Sequence, residues 1–265
     1  MLKQRVMTAL VLIPLLIVAL FVLPRDAGAI AIGLLFLGGA VEWGGFFGDG
    51  SHLQRSVFTL VVLGVLAVVF MLAADHGFLR LLTGLAMLMW VAALILVVRY
   101  PLQIARPVTA ATGVAVLVCA GASLMRLHLD WQRGPELLLF LFILVWAADI
   151  GAYFTGRTFG RVKLAPAVSP GKTWEGVAGG MLLALLAALA GSYWFGFGAG
   201  WFLPLCVVAA VISVVGDLTV SIFKRNAGLK DSGRIFPGHG GILDRVDSIT
   251  AAGPVFVFGL LVAGI

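Results

Sequence analysis

The sequence predicts an all-α, polytopic membrane protein of about nine transmembrane helices, with a cytoplasmic N-terminus and a periplasmic C-terminus. Of the 265 residues, 62% are hydrophobic and 11% are charged, whereas a soluble domain carries about a quarter charged residues. The apolar residues form continuous runs close to the length of about 20 that a spanning helix needs. A transmembrane β-barrel would show alternating segments of about 10 residues instead, so the runs indicate helices.

The apolar runs define the predicted helices and a single membrane-embedded domain over 1–265. The predicted spans are 8–23, 28–47, 56–73, 79–98, 107–124, 136–155, 177–196, 201–222 and 249–265. Lys3 and Arg5 precede the first run, and the small residues 27–29 follow it, as in a cleavable signal peptide. The run is long for a signal peptide, so we expect it to be retained as a helix.

The positive charges set the orientation. With the N-terminus inside, fourteen of the eighteen Lys and Arg residues fall on the cytoplasmic side. Arg25, Arg80, Arg126 and Arg133 are the four that fall outside. Cytoplasmic loops of membrane proteins carry an excess of Lys and Arg. This bias supports an odd number of helices, and it explains the net charge of +6 without a nucleic-acid partner.

Polar residues concentrate in the second half of the chain. Residues 1–135 have short connections and are expected to be mainly scaffold. Residues 136–265 contain two longer polar segments, 156–175 and 223–248, both predicted to be cytoplasmic loops. Long loops in compact proteins are usually functional, so 136–265 is the expected catalytic half.

Asp217 lies in an otherwise apolar helix. A charge at the centre of a membrane helix costs about 2.5–3.5 kcal/mol on insertion scales, and an intramembrane carboxylate is therefore a functional candidate. Ser221 follows Asp217 by four residues and Lys224 by seven, so all three side chains share one helix face. The spacing indicates a polar site at the cytoplasmic end of this helix.

Asp244 and Asp247 are three residues apart. If the last helix begins near them, their carboxylates project from one face of its first turn, where a cation between them would relieve their repulsion. Oxygen ligands with few Cys or His partners favour Mg²⁺ over zinc. Capping of the helix dipole explains one of these acids but not both together with Asp217. Asp149, near the end of another helix, either joins this site or pairs with Arg157.

The other polar segment contains Ser169-Pro170-Gly171-Lys172-Thr173. A P-loop is excluded because Pro166 stands where the first glycine is required and no strand precedes it. Ser169 before Pro170 predicts the start of a helix. Lys172 is either a cation at the membrane edge or a clamp for phosphate. In the second segment, the glycines around His239 would let backbone N–H groups approach an anion.

The stretch from Ser221 to Asp247 resembles the signature of the phosphatidate cytidylyltransferases, also called CDP-diacylglycerol synthases. Within 27 residues it contains a Ser, a Lys-Arg pair, a Lys-Asp pair, a His-Gly-Gly and a closing Asp-Arg-x-Asp. The block from Ser169 to Gly176 resembles a second element of that family. The first half of the chain resembles the family only in its hydropathy.

This resemblance implies a reaction in which CTP and phosphatidate give CDP-diacylglycerol and pyrophosphate. It also implies Mg²⁺, a helical membrane fold and a homodimer, and it leaves a second cation open. The charge bias adds the expectation of an active site on the cytoplasmic side of a bacterial inner membrane. The dianionic lipid phosphate would attack the α-phosphorus of CTP, so catalysis would consist of charge neutralisation and alignment.

Roles follow for the charged residues as a hypothesis. The expected metal ligands are Asp217, Asp244 and Asp247, assisted by Asp149. The expected catalytic residues are Asp217, Ser221, Lys224, Asp231, Asp244 and Asp247. The expected substrate-binding residues are Ser169, Lys172, Thr173, Lys224, Arg225, Lys230, His239 and Arg245.

Two other function classes stay open at this point. One is a different lipid-phosphate enzyme, such as a polyprenol kinase or a CDP-alcohol phosphotransferase, although the Asp-Gly-x-x-Ala-Arg opening of the latter is absent from the sequence. The other is a cation-coupled transporter, because such proteins also carry intramembrane acids. Transporter sites lie near the midplane, often within inverted repeats, whereas here the charges gather at one face.

Overall fold

The computed structural model describes residues 11–48, 50–233 and 240–265. Within that part of the chain, eight helices are long and apolar enough to cross a membrane, and a shorter apolar helix, Val11–Val22, precedes them. The all-α polytopic prediction is confirmed. The helices are α1 (Val11–Val22), α2 (Arg25–Trp43), α3 (His52–Leu72), α4 (His76–Arg99), α5 (Arg106–Asp130), α6 (Gly134–Phe159), α7 (Trp174–Phe195), α8 (Ala199–Asn226) and α9 (Leu243–Val262).

The helices extend further than hydropathy predicts at the polar end of the bundle. Helix α6 continues to Phe159 and α8 to Asn226, while α9 already begins at Leu243. In α8 the last turn contains Lys224 and Arg225, and cations are favourable at the carboxyl end of a helix dipole. The two polar segments are therefore shorter as loops than predicted, and Asp244 and Asp247 lie in the first two turns of α9.

A small antiparallel hairpin occupies the connection between α6 and α7. Strand β1 (Lys163–Ala165) pairs with β2 (Ser169–Thr173), with Lys163 opposite Thr173 and Ala165 opposite Ser169. The prediction that Ser169 and Pro170 start a helix is wrong: Ser169 begins β2, and α7 begins at Trp174. Proline fixes φ at a value that an edge strand accepts, and a two-stranded hairpin has only edges.

The hairpin is attached to α8 by a small apolar cluster. Ala165 and Val168 are buried together with Leu218 and Ile222 of α8. This packing holds the hairpin against the same stretch of α8 that contains Asp217 and Ser221. The hairpin thereby carries Lys172 to the polar end of α8.

Helices α6 and α7 approach closely through small residues. The buried residues of α7 include Gly176, Gly180, Ala184 and Ala188, which recur every four residues. A Cβ on Gly180 would lie 2.6 Å from the backbone oxygen of Ala148 in α6. Small residues at such spacing let membrane helices pack with their backbones in contact. This contact fixes the position of α6 at Ala148, which Asp149 follows.

Replacement of Gly180 by leucine is expected to separate α6 from α7. Overpacking of a tight interface costs about 1–3 kcal/mol, so thermal unfolding in detergent should shift to lower temperature. Gly64→Leu in α3 is the matched control, because a Cβ at Gly64 meets no atom within 4 Å. Equal unfolding temperatures for the two variants would show that the α6–α7 contact does not limit stability.

Candidate active site

The predicted site residues that the structure describes lie at one end of the bundle. The carboxyl-terminal halves of α6 and α8 supply Asp149 and Asp217, the hairpin supplies Lys172, and the amino end of α9 supplies Asp244 and Asp247. A Cβ on Gly216, which precedes Asp217, would lie 3.0 Å from the backbone oxygen of Asp247, so α8 contacts α9 at the position of these acids. The predicted convergence of Asp217 with the acids of α9 is thus present in the fold.

Lys224 lies between the two acids of α9. Its Nζ is 2.7 Å from Asp244 Oδ1 and 3.9 Å from Asp247 Oδ2, and only 9% of its side chain is exposed. The spacing of three residues therefore does place both carboxylates on one face. A buried ion pair whose partner is removed leaves an uncompensated charge, which costs about 3–5 kcal/mol. Lys224 consequently locks the end of α8 to the start of α9.

Asp244 also organises the loop that leads into α9. Its Oδ2 accepts hydrogen bonds from the backbone N–H groups of Ser232 and Gly241, each at 2.9 Å. Gly240 has φ +75°, and a Cβ there would collide with Asp244 Oδ2; only glycine adopts that conformation readily. The Gly241 N–H, predicted to face an anionic ligand, faces the Asp244 carboxylate instead. Both oxygens of Asp244 are thus occupied by groups of the protein.

Asp217 forms a second and more open ion pair. Lys172 Nζ is 2.6 Å from Asp217 Oδ2, and 28% of each side chain is exposed. Ser221 donates a hydrogen bond of 3.3 Å to Asp217 Oδ1, as their spacing of four residues predicts. This pair is accessible to a ligand, whereas the pair of Lys224 and Asp244 is not.

The remaining predicted residues divide into exposed and structural ones. Arg225 donates to the Leu229 backbone oxygen at 3.1 Å and to the Val168 oxygen at 3.4 Å. Thr173 is buried, and its Oγ1 accepts a hydrogen bond from Gly176 N as the cap of α7, so its hydroxyl is directed at the helix. Ser169 is half-buried in β2. The exposed set is Asp149, Arg225, Lys230, Asp231 and Arg245, and His239 lies outside the described residues.

The acids supply oxygen ligands of the kind that Mg²⁺ prefers. In residues 11–48, 50–233 and 240–265, no three Asp, Glu, His or Cys residues are placed to ligate one ion. Lys172 and Lys224 lie against the carboxylates of Asp217 and Asp244. Mg²⁺ is commonly held by one or two carboxylates together with substrate phosphates. The donor set fits that mode, and a ligand set of Asp217, Asp244, Asp247 and Asp149 stays a prediction.

Glu42 of α2 is a site residue that the sequence analysis missed. Its side chain is buried, with 3% of the residue exposed. Oε2 accepts hydrogen bonds from Ser232 Oγ at 2.7 Å and from Leu243 N at 2.8 Å, and Oε1 accepts one from Ile242 N at 2.8 Å. Glu42 therefore binds Ser232 within the loop between α8 and α9 and also the residues at which α9 begins.

The signal for Glu42 was present in the sequence. It is an acid inside a predicted transmembrane run, between Val41 and Trp43, and the rule that singled out Asp217 applies to it equally. Its neighbour Trp43 is buried, and the Trp43 ring lies 5.2 Å from that of Phe223, next to Lys224. The first half of the chain thus contributes directly to the polar site.

The fold and the site together define a class: a polytopic α-helical membrane protein with paired acids and lysines at one end of its bundle. The sequence profile of the cytidylyltransferase family matches residues 3–262. The chain belongs to the cytidylyltransferase family. The resemblance inferred from the sequence motifs is confirmed.

Proteins similar to this chain bear the name phosphatidate cytidylyltransferase. The phosphatidate cytidylyltransferase of Pseudomonas aeruginosa is 41% identical over 285 residues, which cover 100% of this chain and 98% of the relative. The phosphatidate cytidylyltransferase of Haemophilus influenzae is 42% identical over 283 residues, which cover 97% of this chain and 98% of the relative. The phosphatidate cytidylyltransferase of Brucella suis is 45% identical over 162 residues, which cover 56% of this chain and 57% of the relative.

Substitution of Glu42 is expected to release the loop into α9. Leucine leaves three buried donors without acceptors, at a cost of about 1–3 kcal/mol each, so Glu42→Leu should unfold at a markedly lower temperature. Glutamine retains one acceptor oxygen for Ser232 and Leu243 but turns its NH₂ group towards Ile242 N. The unfolding temperature of Glu42→Gln should therefore fall less than that of Glu42→Leu. Thermal unfolding in detergent measures both variants.

Glu136→Gln is the control for these variants, because Glu136 pairs with Arg133 at the opposite end of the bundle. It should unfold close to the wild type. If Glu42→Leu unfolds at the same temperature as Glu136→Gln, the three hydrogen bonds to Glu42 do not anchor the loop.

Proposed function

We propose that this chain transfers CMP from CTP to phosphatidate, giving CDP-diacylglycerol and pyrophosphate for phospholipid biosynthesis. The observation that carries the proposal is the joint placement of the Lys172–Asp217 and Lys224–Asp244 pairs at one end of the helix bundle, in a chain of the cytidylyltransferase family. Relatives of full length are named for this activity.

The chemistry requires little of a protein base. A phosphomonoester has its second pKa near about 6, so the lipid phosphate is mostly dianionic at neutral pH. One of its oxygens attacks the α-phosphorus of CTP, a new P–O bond forms, and the bond between the α- and β-phosphates breaks to release pyrophosphate. Bringing two polyanions together is the main obstacle, and it is met by fixed positive charge.

The two lysines differ in what they offer a phosphate. Lys172 is on a hairpin at the edge of the site, and its pairing with Asp217 is partly exposed. The cost of separating an ion pair falls as its exposure rises, so exchange of Asp217 for a phosphate oxygen costs less at Lys172 than exchange of Asp244 would at Lys224. Lys224 is buried against Asp244 and Asp247 and is held there. Lys172 is therefore the lysine proposed to bind substrate phosphate, assisted by the exposed Arg225, Lys230 and Arg245.

Asp217 and Asp247 are the carboxylates proposed to hold Mg²⁺. The pair of Asp217 with Lys172 is partly exposed and can open, whereas Asp244 is buried against Lys224 and two backbone N–H groups. A bound Mg²⁺ would neutralise phosphate charge and orient the α-phosphate. The excess of Lys and Arg at this end of the bundle supports a cytoplasmic site in the bacterial inner membrane. A homodimer is also proposed on the basis of the family resemblance.

Turnover by the purified protein tests the proposal. Protein in detergent with phosphatidate, CTP and Mg²⁺ should release one pyrophosphate for each lipid-linked CMP that forms from labelled CTP. Omission of phosphatidate, or chelation of Mg²⁺, should stop both the release of pyrophosphate and the labelling of the lipid. Pyrophosphate release without labelled lipid, or phosphoryl transfer from CTP to give CDP, would assign the chain to a different reaction.

Replacement of the two lysines should separate binding from structure. Lys172→Met is expected to lower kcat/KM at least tenfold. Its unfolding temperature should change little, because Asp217 retains the hydrogen bond from Ser221 and its contact with solvent. Lys224→Met is expected to lower the stability by about 3–5 kcal/mol, since two buried carboxylates lose their cation. Steady-state kinetics and thermal unfolding measure the two effects.

Lys163→Met provides the matched control, because Lys163 lies on the same hairpin and its side chain is exposed. Its turnover and stability should stay near those of the wild type. A loss of activity equal to that of Lys172→Met would mean that the general charge of the hairpin matters, and the specific role of Lys172 would be wrong.

A further inference from the structure

An apolar groove lies on the side of the bundle between α4, the segment 100–105, the start of α5, and α8. Its volume is about 410 Å³, and its walls include Met89, Leu96, Ile104, Val108, Thr219 and Phe223. Binding sites for small organic ligands fall in the range of about 300–1,000 Å³ and are mainly apolar. The groove therefore has the size and lining for part of a lipid or a similar amphiphile.

The groove is separate from the acid and lysine cluster. Thr219 and Phe223 line the groove from α8, whereas Asp217, Ser221 and Lys224 line the cluster. At about 100° per residue, Thr219 lies about 200° and Phe223 about 240° around the helix from Asp217, while Ser221 and Lys224 lie within about 40° of it. The two sites thus occupy opposite faces of the same helix, and one phosphate cannot contact both.

The groove has a cationic rim. Arg99 ends α4 three residues after the lining residue Leu96, and Arg106 begins α5 next to the lining residue Ala105. Both arginines are exposed. The lining residue Val108 of α5 has 52% of its surface exposed, and the lining residues Ala92 and Ala105 are exposed as well, so the groove opens at the outer surface of the bundle. Apolar walls below two arginines are complementary to a molecule with a hydrocarbon chain and an anionic head.

We propose that this groove binds an anionic glycerophospholipid of the surrounding bilayer, with an acyl chain in the groove and the phosphate at Arg99 and Arg106. Each Lys or Arg near the membrane surface favours anionic lipid, and the two arginines here stand on adjacent helices at the same rim. The occupant is a bilayer lipid rather than the reacting lipid, because the groove faces away from the acid and lysine cluster.

The bound lipid would support α8 from the side opposite the cluster. Thr219 and Phe223 form part of the groove wall, and Asn226 at the end of α8 donates a hydrogen bond of 3.1 Å to the backbone oxygen of Ile104. Filling the groove brings lipid against the turns of α8 that contain Ser221 and Lys224. Occupancy should therefore raise the stability of the protein in anionic lipid compared with zwitterionic lipid.

Lipid binding can be measured without turnover, so its failure is distinguishable from failure of the proposed function. The purified protein is titrated in detergent with dioleoyl-phosphatidylglycerol or dioleoyl-phosphatidylcholine, with native mass spectrometry to count bound lipid and thermal unfolding to follow stability. The wild type should retain the phosphatidylglycerol preferentially and unfold at a higher temperature with it. The double variant Arg99→Glu/Arg106→Glu should bind phosphatidylglycerol about thirtyfold more weakly or worse.

Two further variants complete the test. Ala93→Phe fills the groove without changing any charge and should abolish retention of the phosphatidylglycerol. Arg157→Glu changes an exposed arginine at the end of α6, which bonds to Tyr153, and should keep both retention and stabilisation. Undiminished phosphatidylglycerol binding in the groove variants would overturn the proposal. The proposal would also be overturned if Ala93→Phe no longer formed a dimer but bound phosphatidylglycerol as the wild type does. In that case the groove would be occupied by a second copy of the chain.

Discussion

Lys224 and its two carboxylates form the interaction on which the polar end of the molecule depends. A lysine buried at the end of a membrane helix is unstable unless anions accompany it, and Asp244 and Asp247 are supplied by the next helix, with Asp244 at 2.7 Å. This requirement brings α8 and α9 together at this point. It also fixes the loop between them, because Asp244 binds the backbone N–H groups of Ser232 and Gly241 with its other oxygen.

Glu42 extends this constraint to the first half of the chain. It binds Ser232 and the first N–H groups of α9 from α2, so the loop is held from two sides by carboxylates. A Cβ on Gly241 would collide with Glu42, which shows how closely the loop wraps around it. The division into a scaffold half and a catalytic half is therefore incomplete, since α2 holds the loop in which the charged motif lies.

Hydropathy predicts the helices well because insertion into lipid is a local property of about 20 residues. It places their ends poorly: α9 was predicted from residue 249 and begins at Leu243, because charged residues that pair with one another remain helical. The spacing of Asp217, Ser221 and Lys224 predicted a shared helix face, and the family motif predicted their meeting with α9. The hairpin that delivers Lys172 depends on Ala165 and Val168 packing against Leu218 and Ile222, a contact between distant segments that no local pattern encodes.

The contrast between the two lysines suggests how the site reconciles stability with binding. A phosphate-binding cation must give up its partner when substrate arrives, and the cost of this exchange depends on how deeply the resident pair is buried. Lys224, with 9% of its side chain exposed, is costly to separate from Asp244, whereas Lys172 and Asp217 are each 28% exposed. Under the proposed function, the hairpin holds the exchangeable lysine and a helix holds the fixed one, so the edge of the site would rearrange around a polyanionic ligand while the bundle stays closed.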